Sequence, residues 1–169
     1  MDPILDKARA AQNLLERIAN KIPGFKGYRE RELRRDADTL QREHLASLLE
    51  KTKRTLNEAA NAATRGGGLD VINDVETARK RLDKVIARVR YAERGYSGFF
   101  DPIKIEEATL ERVYQFDLGL LDSVEEIQLA AQQAETASDV KVGLREMTAR
   151  IDALDKRLDD REAMLSGVK

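Results

Sequence analysis

Residues 140–165 read VKVGLREMTARIDALDKRLDDREAML, and the places of their apolar side chains decide the fold. Val140, Leu144, Met147, Ile151, Leu154, Leu158 and Leu165 alternate at steps of four and three, with Arg161 in the one place where the pattern is broken. Such steps draw an apolar stripe that repeats every seven residues, the seam of a helix that packs along another helix. The same rhythm recurs through most of the chain. It predicts an all-α protein, an elongated antiparallel helical bundle or coiled coil of about five helices.

Working backwards from that stretch, Ser138 or Asp139 is placed to cap the helix expected over 139–165. Before it, Leu110, Val113, Leu120, Val124, Ile127, Ala131 and Ala134 give a seam for a helix near 104–136, with Asp117 intruding. Ile72, Val75, Leu82, Ile86 and Val89 do the same near 69–94, where Arg79 takes an apolar place. The run Gly66-Gly67-Gly68 ends the helix expected over 28–64. That helix carries Leu33, Ala37 and Leu40, then Leu45, Leu49, Thr52, Leu56, Ala59 and Ala63 in a shifted phase. Pro23-Gly24 separates it from a first helix over 3–21, with Ile4, Leu5, Ala8, Ala11, Leu15 and Ile18 on one face. Short connections make neighbouring helices antiparallel, and a chain of 169 residues fits a single helical-bundle domain over 1–169. The alternative leaves part of one hairpin bare for another subunit.

Composition narrows the function. Charged residues make up 36% of the chain, yet Lys+Arg (30) and Asp+Glu (31) nearly cancel, which argues against a nucleic-acid binder. The absence of Cys excludes disulfides and thiolate metal sites. The start Met1-Asp2-Pro3-Ile4-Leu5 lacks the basic and apolar runs of a signal peptide, so the expected setting is cytoplasmic, with a membrane periphery as the alternative. Charge is also uneven along the chain. Residues 65–100 hold eight Lys/Arg against five Asp/Glu, and residues 101–138 hold two against nine. Pairing between the third and fourth helices is the expected consequence.

Catalytic and metal motifs are missing. Di-metal bundles use Glu-x-x-His pairs, whereas the one histidine, His44, follows Gln41 at that spacing. No Gly-x-Ser-x-Gly elbow occurs, and the glycine run lacks the Lys-Ser/Thr of a phosphate loop. No cofactor, metal or small-molecule substrate is inferred, and the chain reads as a non-enzyme. Asp117 and Arg79 are expected at wet margins of their seams; a buried contact that sets helix register is the alternative.

One constellation remains. Phe25 and Tyr28 follow the first helix, and Tyr96, Phe99 and Phe100 follow the third. Alternating helices would bring these rings to one end together with Arg31, Arg34, Arg35 and Arg94. Cations around exposed rings grip acidic or phosphorylated groups; buried rings would instead plug the bundle.

The stretches Ile22-Pro23-Gly24-Phe25-Lys26-Gly27-Tyr28, Glu32-Leu33-Arg34-Arg35-Asp36-Ala37-Asp38 and Gly95-Tyr96-Ser97-Gly98-Phe99-Phe100-Asp101 resemble those of small, uncharacterised bacterial helical proteins. The resemblance implies an all-helical fold and no activity. A looser architectural similarity links the chain to bacterial membrane-stress proteins built of long helical hairpins. The function expected is that of a scaffold or adaptor acting through its coiled-coil faces and the aromatic–basic end. Its partner would be another protein or a second copy. A peripheral membrane protein anchored by the first helix, or a ligand-binding bundle, would be the other readings.

Overall fold

A computed structural model describes residues 3–30, 34–65, 71–92, 106–136 and 140–166, excepting the side chains of 3–5, 62, 63, 135 and 136. Among these residues stand five helices and no strand: α1 Pro3–Lys21, α2 Arg34–Arg65, α3 Ile72–Tyr91, α4 Glu107–Thr136 and α5 Val140–Ser166. The protein is all-α, and the seams predicted from the heptads form its core. Leu45, Leu49, Leu56, Val75, Leu82, Val113, Val124, Ile127, Leu144, Met147, Ile151 and Leu154 are all buried. Each fully buried aliphatic side chain contributes about 1.5–3 kcal/mol. Leu15, Leu40, Val140 and Leu158 are half-buried, and Ile72, the first residue of α3, is 41% exposed.

The start of α2 differs from the expectation. Tyr28 lies in an irregular segment, and the helix begins at Arg34. The Ile22 amide still bonds back to Ile18 at 2.8 Å, after which Gly24 and Gly27 both adopt φ +85°. That conformation strains any residue with a Cβ. A Cβ on Gly27 would also fall 2.5 Å from the Tyr114 hydroxyl and 2.7 Å from Leu15. The chain is thereby turned away from helical continuation before Tyr28.

The structure divides into two compact units, and α2, α4 and α5 contribute to both. The second comprises residues 45–92 and 122–159. Here α2 and α3 run antiparallel, tied by Lys53–Asp83 at 2.5 Å, Arg79–Asn57 at 2.6 Å and Arg90–Glu50 at 3.5 Å. Helices α3 and α5 run parallel, as the pairs Arg81–Asp152, Lys84–Asp155 and Arg88–Asp159 keep a constant offset of 71 residues. Helices α4 and α5 are antiparallel through Glu126–Arg150, and Gln128 of α4 donates to the Leu48 carbonyl of α2. These contacts close a ring in the order α2, α3, α5, α4, with α3 and α4 across from one another. The expected pairing of basic third helix with acidic fourth is therefore corrected. The cations of α3 meet aspartates of α5.

Gly143 permits the close approach of α4 and α5. A Cβ there would stand 2.8 Å from both the Cα and the Cβ of Ala134.

The first unit comprises residues 1–44, 93–121 and 160–169. Its core contains Ala11 and Ile18 of α1, Ile22, Phe25 and Tyr28 of the following segment, Leu110, Val113, Tyr114 and Leu121 of α4, and Leu165 of α5. The Phe25 ring meets Tyr28 edge-on at 5.5 Å, and Tyr28 stacks on Tyr114 at 5.6 Å. Among the described residues, no helix is long and apolar enough to cross a membrane.

Candidate functional site

The core of the first unit is interrupted by a layer of polar side chains. Asp117 of α4 is 0% exposed and Arg161 of α5 only 6%, and Asp38 and Gln41 of α2 are buried beside them. Arg161 donates from Nε to Asp117 Oδ1 at 2.8 Å and from Nη2 to Asp38 Oδ1 at 2.9 Å. The second oxygen of Asp38 accepts from Arg42 Nε at 2.8 Å. Two guanidinium groups thus face two carboxylates, and these four charges offset one another. Isolated ions would not survive such burial; paired and hydrogen-bonded ions do.

Tyr28 completes the layer from outside the helices. Its hydroxyl lies 2.7 Å from Asp117 Oδ2 and 2.5 Å from the side-chain amide of Gln41. A phenol has one proton, and a carboxylate can only accept, so that proton goes to Asp117. Gln41 Nε2 is left without a partner, and turning the amide over would let it donate to the phenol oxygen. The main chain of Tyr28 is held in the same way. Its amide donates to the Tyr114 hydroxyl, and its carbonyl accepts from Arg34 Nε, both at 2.8 Å. Side chains of α2 and α4 do here what a helical turn would otherwise do.

Electrostatics keep these protons in place. Burial, reinforced by the Asp117 carboxylate, pushes the Tyr28 phenol well above its ordinary range and holds it neutral. Burial pulls the Arg161 guanidinium down, but Asp117 and Asp38 outweigh it, so this group lies well above its usual value and stays charged. Burial also raises the Tyr114 phenol. General acid–base chemistry requires a group poised to gain or lose a proton. The Tyr28 phenol and the Arg161 guanidinium both keep their protons, and the arrangement joins α2, α4, α5 and the Tyr28 segment.

The predicted wet margin for Asp117 is therefore corrected: the residue is the centre of a buried contact. Arg79 does occupy a margin, a third exposed, bonded to Glu76 and Asn57. A sequence signal for the Asp117–Arg161 pair existed. The two seam-breaking residues lie almost equally far from the α4–α5 connection, which faces them in an antiparallel hairpin.

Of the residues assigned to an aromatic–basic binding end, Phe25, Tyr28 and Arg34 are buried. They belong to the core because the 22–30 segment folds inward over the ends of α2 and α4, so their rings and guanidinium cannot present a docking face. Arg35 is exposed. Arg31, Arg94, Tyr96, Phe99 and Phe100 lie outside the described residues. The first helix likewise turns Ala11 and Ile18 into the unit rather than toward a lipid surface. Among the described residues, no group of three or more His, Asp or Glu side chains is placed to hold a metal ion.

Accessible apolar surface is found in the second unit. Tyr91 is 76% exposed, Val142 58% and Leu129 53%. Two shallow hollows also lie in this unit, lined by other residues. One, of about 150 Å³, is lined by Ala60, Thr64, Val71, Ile72, Val75 and Arg79. The other, of about 240 Å³, lies between α3 and α5 over Thr77, Leu144, Thr148 and Ala149.

Comparison with protein-family models, with curated proteins and with solved structures gives no match. The resemblance to small bacterial helical proteins gains no support from it.

Proposed function

We propose that this chain is a non-enzymatic helical scaffold or adaptor that meets a protein partner, or a second copy of itself, on the outer helical faces of its second unit. The observation that carries this reading is a division of labour between side chains. The polar groups clustered in the first unit are engaged with one another, whereas Ile72, Tyr91, Leu129 and Val142 leave apolar surface in water on α3, α4 and α5. Apolar side chains mark a contact surface where they gather into a patch, and Leu129 and Val142 on the antiparallel α4–α5 pair are the two chosen to test for one. The setting we infer is cytoplasmic. The proposed contacts now centre on the coiled-coil faces, since the described rings of the aromatic–basic end are core.

The test compares the parent chain with a Leu129→Glu, Val142→Glu double variant. Light scattering across a concentration series would report self-association, and affinity capture from source-cell lysate would report a partner. Loss of either in the double variant, with helical circular dichroism unchanged, supports the reading. A parent that is strictly monomeric and captures nothing overturns it.

A further inference from the structure

We infer that the buried layer of Tyr28, Asp38, Gln41, Asp117 and Arg161 exists to select one helix register, and that an apolar layer in its place would hold the unit together without selecting it. The argument rests on what the same helices offer one heptad away. Along α4 the seam places seven residues from Asp117 are Leu110 and Val124, and along α2 the place seven beyond Asp38 is Leu45. Seven residues before Arg161 on α5 is Leu154. All four are buried and apolar. Leucine and valine at repeating places interlock almost equally well after a slip of seven residues, so, apart from the Gly143–Ala134 approach, the apolar seam separates these registers poorly.

The polar layer separates them sharply. A slip in either direction carries the Arg161 guanidinium against Leu110 or Val124 and leaves Asp117 without its cation. Both ions would then be buried and unpaired, the costliest state a core can hold. The Tyr28 segment adds a second check. Its hydroxyl reaches Asp117 and Gln41 together only when α2 and α4 are aligned as observed. Arg161, spanning Asp38 and Asp117, fixes α5 against the same two helices.

The test replaces the whole layer in the full chain, with Tyr28→Phe, Asp38→Leu, Gln41→Leu, Asp117→Leu and Arg161→Met, together with Arg42→Met because Asp38 is the carboxylate that Arg42 meets. Because the chain has no cysteine, register is read by introduced pairs. Glu126→Cys with Arg150→Cys reports the observed register, in which these side chains meet at 3.0 Å. Glu126→Cys with Arg157→Cys reports a slip of one heptad. A short bifunctional thiol reagent should join only the first pair in the parent background. In the apolar-layer background both pairs should cross-link, and the amide spectrum should show more than one set of resonances, while the thermal midpoint stays at or above that of the parent. A single set of resonances with only the first pair joined would overturn the inference. So would loss of cooperative unfolding, since the apolar layer is expected to hold the unit together.

Discussion

Arg161 of α5 and Asp117 of α4 meet at 2.8 Å in places where both heptad patterns call for an apolar side chain. Each alone breaks its seam; together they complete a neutral buried contact. The pair also explains why a segment without regular structure is firmly placed. Asp117 keeps one oxygen for Arg161 and the other for Tyr28, so the irregular 22–30 stretch is fastened to the same carboxylate that aligns the two helices.

Removing the shared cation should therefore be costly. Arg161→Met leaves Asp117 and part of Asp38 buried without compensation, and the expected loss is about 3–5 kcal/mol. Arg79→Met removes a cation of the same kind from a margin where Glu76 remains in water. Its expected cost is under about 1 kcal/mol. Urea unfolding of the two variants checks the contrast, and similar midpoints would mean that the Arg161 contact is not the anchor described.

Tyr28→Phe keeps the stacked ring and removes only the hydroxyl. Asp117 loses a donor and Gln41 an acceptor, both buried, for an expected cost of about 1–3 kcal/mol. Tyr28→Ala also empties ring volume against Phe25 and Tyr114, and should cost more, about 3–5 kcal/mol. Equal losses in the two variants would place the value of Tyr28 in its polar contacts alone.

The helices were legible because the heptad stripe is a local signal, carried by residues three and four apart. The observed α1, α4 and α5 begin and end within three residues of the expected bounds. The α2 start was not legible. Gly24 and Gly27 turn the chain locally, but the place of Tyr28 is fixed by the Tyr114 hydroxyl, 86 residues away, and no local pattern encodes such a partner. Charge blocks misled in a similar way. The basic run of α3 and the acidic run of α4 look complementary, yet the ring of helices sets α3 beside Asp152, Asp155 and Asp159. Asp117 stood out as a residue type in the wrong place, but its burial depended on Arg161, which lies on another helix.

Gly143→Ala should destabilise the α4–α5 contact, because the new methyl group would stand 2.8 Å from Ala134 backbone. The helices must part by several tenths of an ångström along a packed seam, at an expected cost of about 1–3 kcal/mol. Adding Ala134→Gly removes one of the two clashes and should restore part of the loss. Thermal unfolding of the single and double variants measures this coupling.

Leu82→Ala and Leu154→Ala each empty a fully packed place and should cost about 2–5 kcal/mol. Lys80→Ala, on the exposed face of α3, should cost little. Asp155 also falls off the stripe in the heptad pattern, yet it accepts from both Lys84 and Arg88. Asp155→Ala should therefore rank between Lys80→Ala and the two leucine variants in denaturation midpoint. A midpoint equal to that of Lys80→Ala would show the α3–α5 ladder to be energetically idle.

The same ladder predicts an acid limb in stability. Partial burial pushes the Asp155 carboxyl up, but Lys84 and Arg88 outweigh it and hold it below the ordinary value of 3.8. With a native pKa lower than the unfolded one, the unfolded chain binds more protons as pH falls. The contribution of Asp155 is thus present above the unfolded value and lost as pH drops through the depressed native one. Asp155→Asn lacks this titration. The parent should lose urea resistance more steeply than the variant as pH is lowered from about 5 to 3, and 1 M salt should narrow the difference by screening these partly exposed charges. Parallel curves for the two proteins would remove Asp155 as the source of the acid limb.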